Sequence, residues 1–165
     1  MESKDPELAA LAVLPLRREE LPGLIAMVGR CSRETLFRRF HGFTDGISYA
    51  RRLVADNVEQ ETVVAWLGGR CVGFATLAGG GDEADVGVLV EDAWQRRGVG
   101  GRLIAEVVAL ARCRHVTRLR ADVLADAAFV IPVLSRFGRL KTCVHPGSYS
   151  VRVELPPAHT DTRCS

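Results

Sequence analysis

Gln95-Arg96-Arg97-Gly98-Val99-Gly100 stands between an apolar run, Val86 to Val90, and an amphipathic stretch, Val99 to Ala111. The run reads as a strand and the stretch as a helix, so these six residues form a glycine turn from one into the other. Such a turn aims backbone N–H groups at one point, at the positive end of the helix, and that is a socket for phosphate. Gly98 and Gly100 have no Cβ to hold an anion away, and each can take positive φ if the turn needs it. Arg96, Arg97 and Arg102 add guanidinium groups around the same point. The stretch predicts a diphosphate ligand.

The spacing excludes two familiar phosphate loops. A nucleotide-hydrolysing loop needs Gly-x-x-x-x-Gly-Lys-Ser/Thr, and the nearest Lys-Thr pair, Lys141-Thr142, has no such loop before it. A dinucleotide fold needs Gly-x-Gly-x-x-Gly after its first strand, whereas Gly98-Val99-Gly100-Gly101-Arg102-Leu103 lacks the last glycine and lies deep in the chain.

Outward from the loop, the periodicities predict a mixed α/β (α+β) order. Met1 to Ala9 reads as loose, Leu11 to Leu16 as a strand and Glu19 to Val28 as a helix. Ser32 caps a short helix to Phe40, and Ile47 to Asn57 has a helical period. Thr62 to Leu67 and Cys71 to Leu77 form a hairpin about Gly68-Gly69-Arg70, and Ala84 to Val90 is the strand before the loop. Leu119 to Leu124 is a further strand and Ala128 to Phe137 a helix that Pro132 should kink or shorten. A last hairpin, Thr142 to Val144 with Tyr149 to Leu155, turns around His145-Pro146-Gly147-Ser148. The boundaries expected are a loose start over 1–10, one domain over 11–155 and a flexible tail over 156–165.

The chain has 165 residues, 47% of them hydrophobic, enough for one core and too few for two ordinary domains. No apolar run approaches the ~20 residues of a membrane helix, and no leader-like start is seen, so a cytoplasmic protein with no membrane partner is expected. The net charge of +2 and the scattered arginines exclude the basic run of a nucleic-acid binder. Cys31, Cys71, Cys113, Cys143 and Cys164 are odd in number and widely spaced, which suits reduced thiols rather than disulfides or zinc, and no metal is expected.

Gln-x-x-Gly-x-Gly directly after a strand ending Val88-Leu89-Val90 resembles the acyl-CoA pyrophosphate loop of the GNAT superfamily of N-acetyltransferases. The element order over Leu11 to Leu155 is also that of the superfamily. The resemblance implies a mostly antiparallel seven-stranded sheet flanked by helices, with strands four and five splayed to admit the pantetheine arm of acetyl-CoA or another acyl-CoA. It implies a bulge in strand four, backbone bonds from Leu89 and Val90 to the pantetheine amides, and a pyrophosphate held over Gln95, Arg96, Arg97, Gly98, Val99, Gly100, Gly101 and Arg102. Ser32-Arg33-Glu34-Thr35-Leu36-Phe37-Arg38-Arg39-Phe40 is similar to the Ser-x-Glu-Ser-x-Tyr-x-Arg-Phe segment of bacterial Pat-like protein lysine acetyltransferases, and Asp92-Ala93-Trp94-Gln95 matches their Asp-x-Trp-Gln. Arg38-Arg39 reads equally as a solvated helix face or as a face turned to substrate.

Acyl transfer to an alkyl amine, whose pKa is about 10, needs a base or a water chain reaching one. In the Pat-like pattern a glutamate on the strand before the loop has this role, and Asp85 stands there, one methylene shorter and so suited to act through water. His145, in the last hairpin, is the second candidate; His41 and His115 are weaker ones. Many relatives carry an Asn after strand five and a Tyr seven residues on that protonates the leaving thiolate, but this chain has Ala127 and Leu134 there. The reading is an acyl-CoA-dependent N-acyltransferase acting on a primary amine, either a protein lysine or a small molecule. The alternative is a GNAT-like module that binds CoA or a partner without turnover. Oligomeric state is open, a homodimer included.

Overall fold

The computed structural model describes residues 6–55 and 59–157. Its strands are β1 (Ala12–Pro15), β2 (Gln60–Leu67), β3 (Arg70–Ala78), β4 (Glu83–Val90), β5 (Arg118–Leu124), β6 (Arg139–His145) and β7 (Ser148–Glu154). Its helices are α1 (Leu21–Arg30), α2 (Arg33–Phe40), α3 (Ile47–Arg52), α4 (Val99–Cys113) and α5 (Ile131–Leu134). The strands make one seven-stranded sheet, ordered β1-β2-β3-β4-β5-β7-β6. Every neighbouring pair is antiparallel except β4–β5. This is the expected α/β architecture.

Helices cover the two sheet faces separately, so each face has its own apolar layer. On one side α4 lays Leu103, Val107 and Ala111 against Leu77, Leu119 and Val153. On the other, Leu24 and Met27 of α1 and Leu36 of α2 pack on Phe74 and Leu89. Phe74 is fully buried, a placement worth about 1.5–3 kcal/mol by area removed from water. The split follows from period-two alternation: Leu89 of β4 faces α1 and α2, while Val86, Val88 and Val90 face α4.

Several boundaries move for local reasons. Pro22 occupies the first turn of α1, so the helix begins at Leu21 after a 3-10 turn over Arg18–Glu20 and runs to Arg30. Pro132 likewise opens α5, which is cut to four residues after a 3-10 segment, Ala125–Val130. Helix α3 stops at Arg52, and the expected end at Asn57 lies outside the described residues. The last hairpin is longer than expected, because His145 pairs with Ser148 and leaves only Pro146-Gly147 as its turn. Pro6–Ala10, read as loose, is a 3-10 turn with Leu8 1% exposed in the α4-side core. Cys31, Cys71 and Cys143 are free, but Cys113 is disulfide-bonded, which corrects the expectation of five reduced thiols. Spacing along the sequence does not limit which cysteines approach in space.

Candidate active site

Strand β4 pairs with β5 only at Glu83–Arg118, Ala84–Leu119 and Asp85–Arg120. Beyond Asp85 the strands part: β5 stays paired to β7 as far as Leu124–Ser148, and β4 stays paired to β3 as far as Val90–Gly73. The splay expected between strands four and five is present. The expected bulge in β4 is not, since the β3–β4 register runs unbroken; the register shift lies in the β2–β3 pair, at Ala65/Trp66.

Which peptide groups the splay exposes follows from the ladder. Glu91 N–H donates to Val72 C=O at 3.0 Å, so position 91 faces β3. Antiparallel alternation then turns Leu89 and Gly87 to β3 as well, and turns Val86, Val88 and Val90 towards the side β5 has left. Leu89 is therefore engaged through its backbone with β3, contrary to the contact expected of it. The C=O of Val90 accepts from Gln95 Nε2 at 3.0 Å, which leaves both peptide groups of Val88 and the N–H of Val90 at the open edge.

That edge runs into the glycine turn. Gly98 is the N-cap of α4 at φ 102°, ψ −4°, a conformation that side chains with a Cβ rarely adopt. The first intrahelical bond there is Arg102 N–H to Gly98 C=O at 3.2 Å. The N–H groups of Val99, Gly100 and Gly101 thus precede any i−4 acceptor within the helix and point out of its positive end. Gln95 is a clasp: its Nε2 also donates to Thr35 Oγ1 at 2.9 Å, tying the turn to α2.

The three arginines differ. Arg96, itself at φ 61°, stacks on Phe129 with its guanidinium carbon 5.1 Å from the ring centroid. Arg97 pairs with Glu7 and stacks on Trp94, and Arg102 donates to the C=O of Leu8, so both hold the Pro6–Ala10 turn against the loop.

The open edge and the turn form one wall of a groove of about 1820 Å³ that continues between α2, α3 and the splayed strands. Asp85 lies on it at the point of divergence. Its two oxygens accept from Arg120 Nε at 2.6 Å and Nη2 at 3.0 Å, and this pairing raises the pKa of Arg120. Ala127 and Leu134 line the same groove, 7% and 2% exposed, so two apolar side chains stand where many relatives have Asn and Tyr. His41 also lines it. His145, by contrast, is exposed at the far end of β6, outside the groove lining; a strand that pairs in full to its turn carries the residue away. Burial pushes the thiols of Cys31 and Cys71 up to about 12, which keeps them protonated and poor as nucleophiles. Among the described residues no cluster of His, Cys, Asp and Glu could hold a metal.

Two acids after β4 have structural roles that the sequence did not disclose. Glu91, 4% exposed, accepts from Arg30 Nε and Nη2 at 3.0 Å each and from Arg70 Nη2. Burial pushes its carboxyl up, but the bonds from Arg30 and Arg70 outweigh this and hold it below the usual range. Asp92 accepts from Ser32 N–H at 2.9 Å, Ser32 Oγ at 2.5 Å and Thr35 Oγ1 at 3.0 Å. Its carboxyl is likewise raised by burial and lowered further by these bonds. Together they fix the end of β4 to α1 and α2. Arg38 reaches over the groove from α2, pairing with Glu34 and, at 2.8 Å, with Asp126 beyond β5.

Comparison with known proteins agrees with this geometry. The chain is similar to the GNAT domain of Streptomyces lividans PAT, with 25% identity over 87% of this chain and 89% of that one and a TM-score of 0.77. It also shares its fold with the PaiA N-acetyltransferase of Thermoplasma acidophilum, crystallised with coenzyme A (15% identity, 87% and 98% coverage, TM-score 0.65). The ribosomal-protein-alanine N-acetyltransferase of Brucella melitensis matches at 20% identity, 87% and 99% coverage and a TM-score of 0.68. No curated protein matches the chain by sequence. The acetyltransferase (GNAT) family model matches residues 32–138, from the cap of α2 through the splay and the glycine turn, and the chain belongs to that family.

Proposed function

We propose that this chain is an acetyl-CoA-dependent N-acetyltransferase acting on a primary amine, either a lysine of a protein or a small molecule. The observation that carries the reading is the open edge of β4 leading into free amides at the start of α4. The peptide groups of Val88 and the N–H of Val90, rather than Leu89, have the direction needed to bond pantetheine amides. The N–H groups of Val99, Gly100 and Gly101, with Arg96 at the groove, suit a pyrophosphate. Acetyl-CoA supplies an acyl thioester open to attack by an uncharged amine.

On the acceptor side, Asp85 takes the proton of the incoming ammonium through a bridging water. Arg120 occupies one direction at each Asp85 oxygen and fixes the carboxylate, while further lone pairs remain for that water. Ala127 and Leu134 offer no proton to the departing thiolate, so water has that task, and the rate rests on positioning and on backbone polarisation of the carbonyl.

Those two apolar positions favour a second reading, a module that binds CoA without turnover. Calorimetry with CoA, followed by thiol-reagent detection of CoA release across an amine panel, decides between them. Release stimulated by an acceptor supports the enzyme. Tight binding without release supports the module, and no binding of CoA or acetyl-CoA at millimolar concentration refutes both.

A further inference from the structure

The acceptor end of the groove carries a half-buried guanidinium, that of Arg39, which no described carboxylate neutralises. Arg39 lies over the Thr76–Gly87 pair of β3 and β4 and donates from Nη2 to Tyr49 Oη at 2.9 Å and to Thr76 Oγ1 at 3.2 Å. Aromatic rings surround its guanidinium carbon, with centroids 5.1 Å away at Phe40, 5.2 Å at Tyr49 and 6.0 Å at Phe74. Its Nε is shut from water without an acceptor, and among the described residues no carboxylate pairs with it. The neighbouring cations differ: Arg38 is satisfied by Glu34 and Asp126, and Arg120 by Asp85. A Cβ at Gly87 would overlap the guanidinium, so Arg39 uses space that only glycine leaves on the strand at the splay.

An amine acceptor arrives as a cation. With Glu34 and Asp126 counted, the charges of Arg38, Arg39, Arg52 and Arg120 are balanced by those of Glu34, Asp85, Asp122 and Asp126, but the guanidinium of Arg39, which no described carboxylate pairs, repels a simple ammonium placed beside it. An amine that carries its own carboxylate is neutral overall and brings acceptors to a guanidinium whose Nη1 donors are unspent. We propose that Arg39 is a specificity-determining residue that holds a carboxylate of the acyl acceptor, so that the preferred acceptors are amino acids or similar amines with an acid group nearby. The inference rests on the acetyltransferase reading and deepens it.

The test titrates the protein, saturated with CoA, with N-acetylalanine and with N-acetylalaninamide, product forms that differ in the acid group. The acid should bind about ten- to a hundredfold more tightly, the range of a charge-assisted bond made in place of none. Arg39→Gln should close that gap, and so should Gly87→Ala, which displaces the guanidinium without altering it. A ratio within one variant is insensitive to general loosening of the fold, and CoA binding in the same cell reports separately on the acetyltransferase reading. Equal binding of the two compounds by the unaltered protein, or binding of neither, overturns the proposal. So does a preference for succinyl-CoA over acetyl-CoA that Arg39→Gln removes in the absence of an acid–amide gap, since the carboxylate would then belong to the acyl chain.

Discussion

Replacing Glu91 by Gln tests how β4 is held at the site. Three donors from two arginines converge on a carboxylate whose side chain is 5% exposed, while Arg30 and Arg70 are 33% and 51% exposed. Breaking a fully buried pair costs about 3–5 kcal/mol, but here both guanidinium groups regain water when released. The expected loss is therefore about 2–3 kcal/mol, with Gln retaining one acceptor and turning its amide donors against other donors. For a domain of this size that is roughly 5–10 °C in Tm. The sign with pH follows from the depressed carboxyl. Its contribution is complete above the unfolded-state value, about 4.3, and disappears as pH falls through the lower folded value. Denaturant unfolding at pH 7 and again near pH 3 should show a gap between the two proteins that is full at the first and narrowed at the second. A loss below about 0.5 kcal/mol at pH 7, or a gap that widens in acid, refutes the reasoning.

Gly98→Ala forces a Cβ onto φ 102°, so it should cost about 1–2 kcal/mol of stability, and calorimetry should show CoA affinity reduced about tenfold; unchanged affinity would mean that the turn does not hold the cofactor. Asp85→Asn should lower kcat/KM by about 10²–10⁴. A value within about twofold of the unaltered protein would leave Asp85 as the partner of Arg120 alone. His145→Ala, outside the groove, should leave kcat/KM within about twofold, the span of a remote surface change, and a tenfold drop would bring the last hairpin back into the mechanism.

The loop and the order of elements along the chain were legible because both depend on local rules. Strand alternation, glycine turns and helix periods are written into short windows, and Gln95 to Gly101 lies where those windows predict. Three features needed tertiary information. Leu89 and Val90 are adjacent apolar residues of one strand, and only the register shows which peptide faces β3 and which faces the splay. Glu91 reads as an acid in a loop until Arg30 and Arg70, 61 and 21 residues away, converge on it. Arg39 had a partial signal in the basic pair of α2, but its position depends on the gap at Gly87, 48 residues on, for which no periodicity speaks. His145 failed in the opposite sense: a turn histidine looked available, and full pairing of β6 with β7 carried it away.

The arrangement of clasps accounts for how an unpaired strand edge survives. Exposed N–H and C=O groups in a row tend to find another strand or to relax into irregular coil. In this chain β4 is fixed at both ends of the open segment. At one end Asp85 is locked to Arg120 across the last β4–β5 pair; at the other, Glu91 and Asp92 bind α1 and α2, and Gln95 caps Val90. Leu89, 2% exposed, anchors the middle through its side chain on the α1–α2 face while β3 holds its backbone. Only the peptide groups directed at the groove are left unbound, and they are immobilised before a ligand arrives. Ordering entropy is then paid in folding rather than in binding, which is the condition under which a few backbone bonds can orient a flexible pantetheine arm.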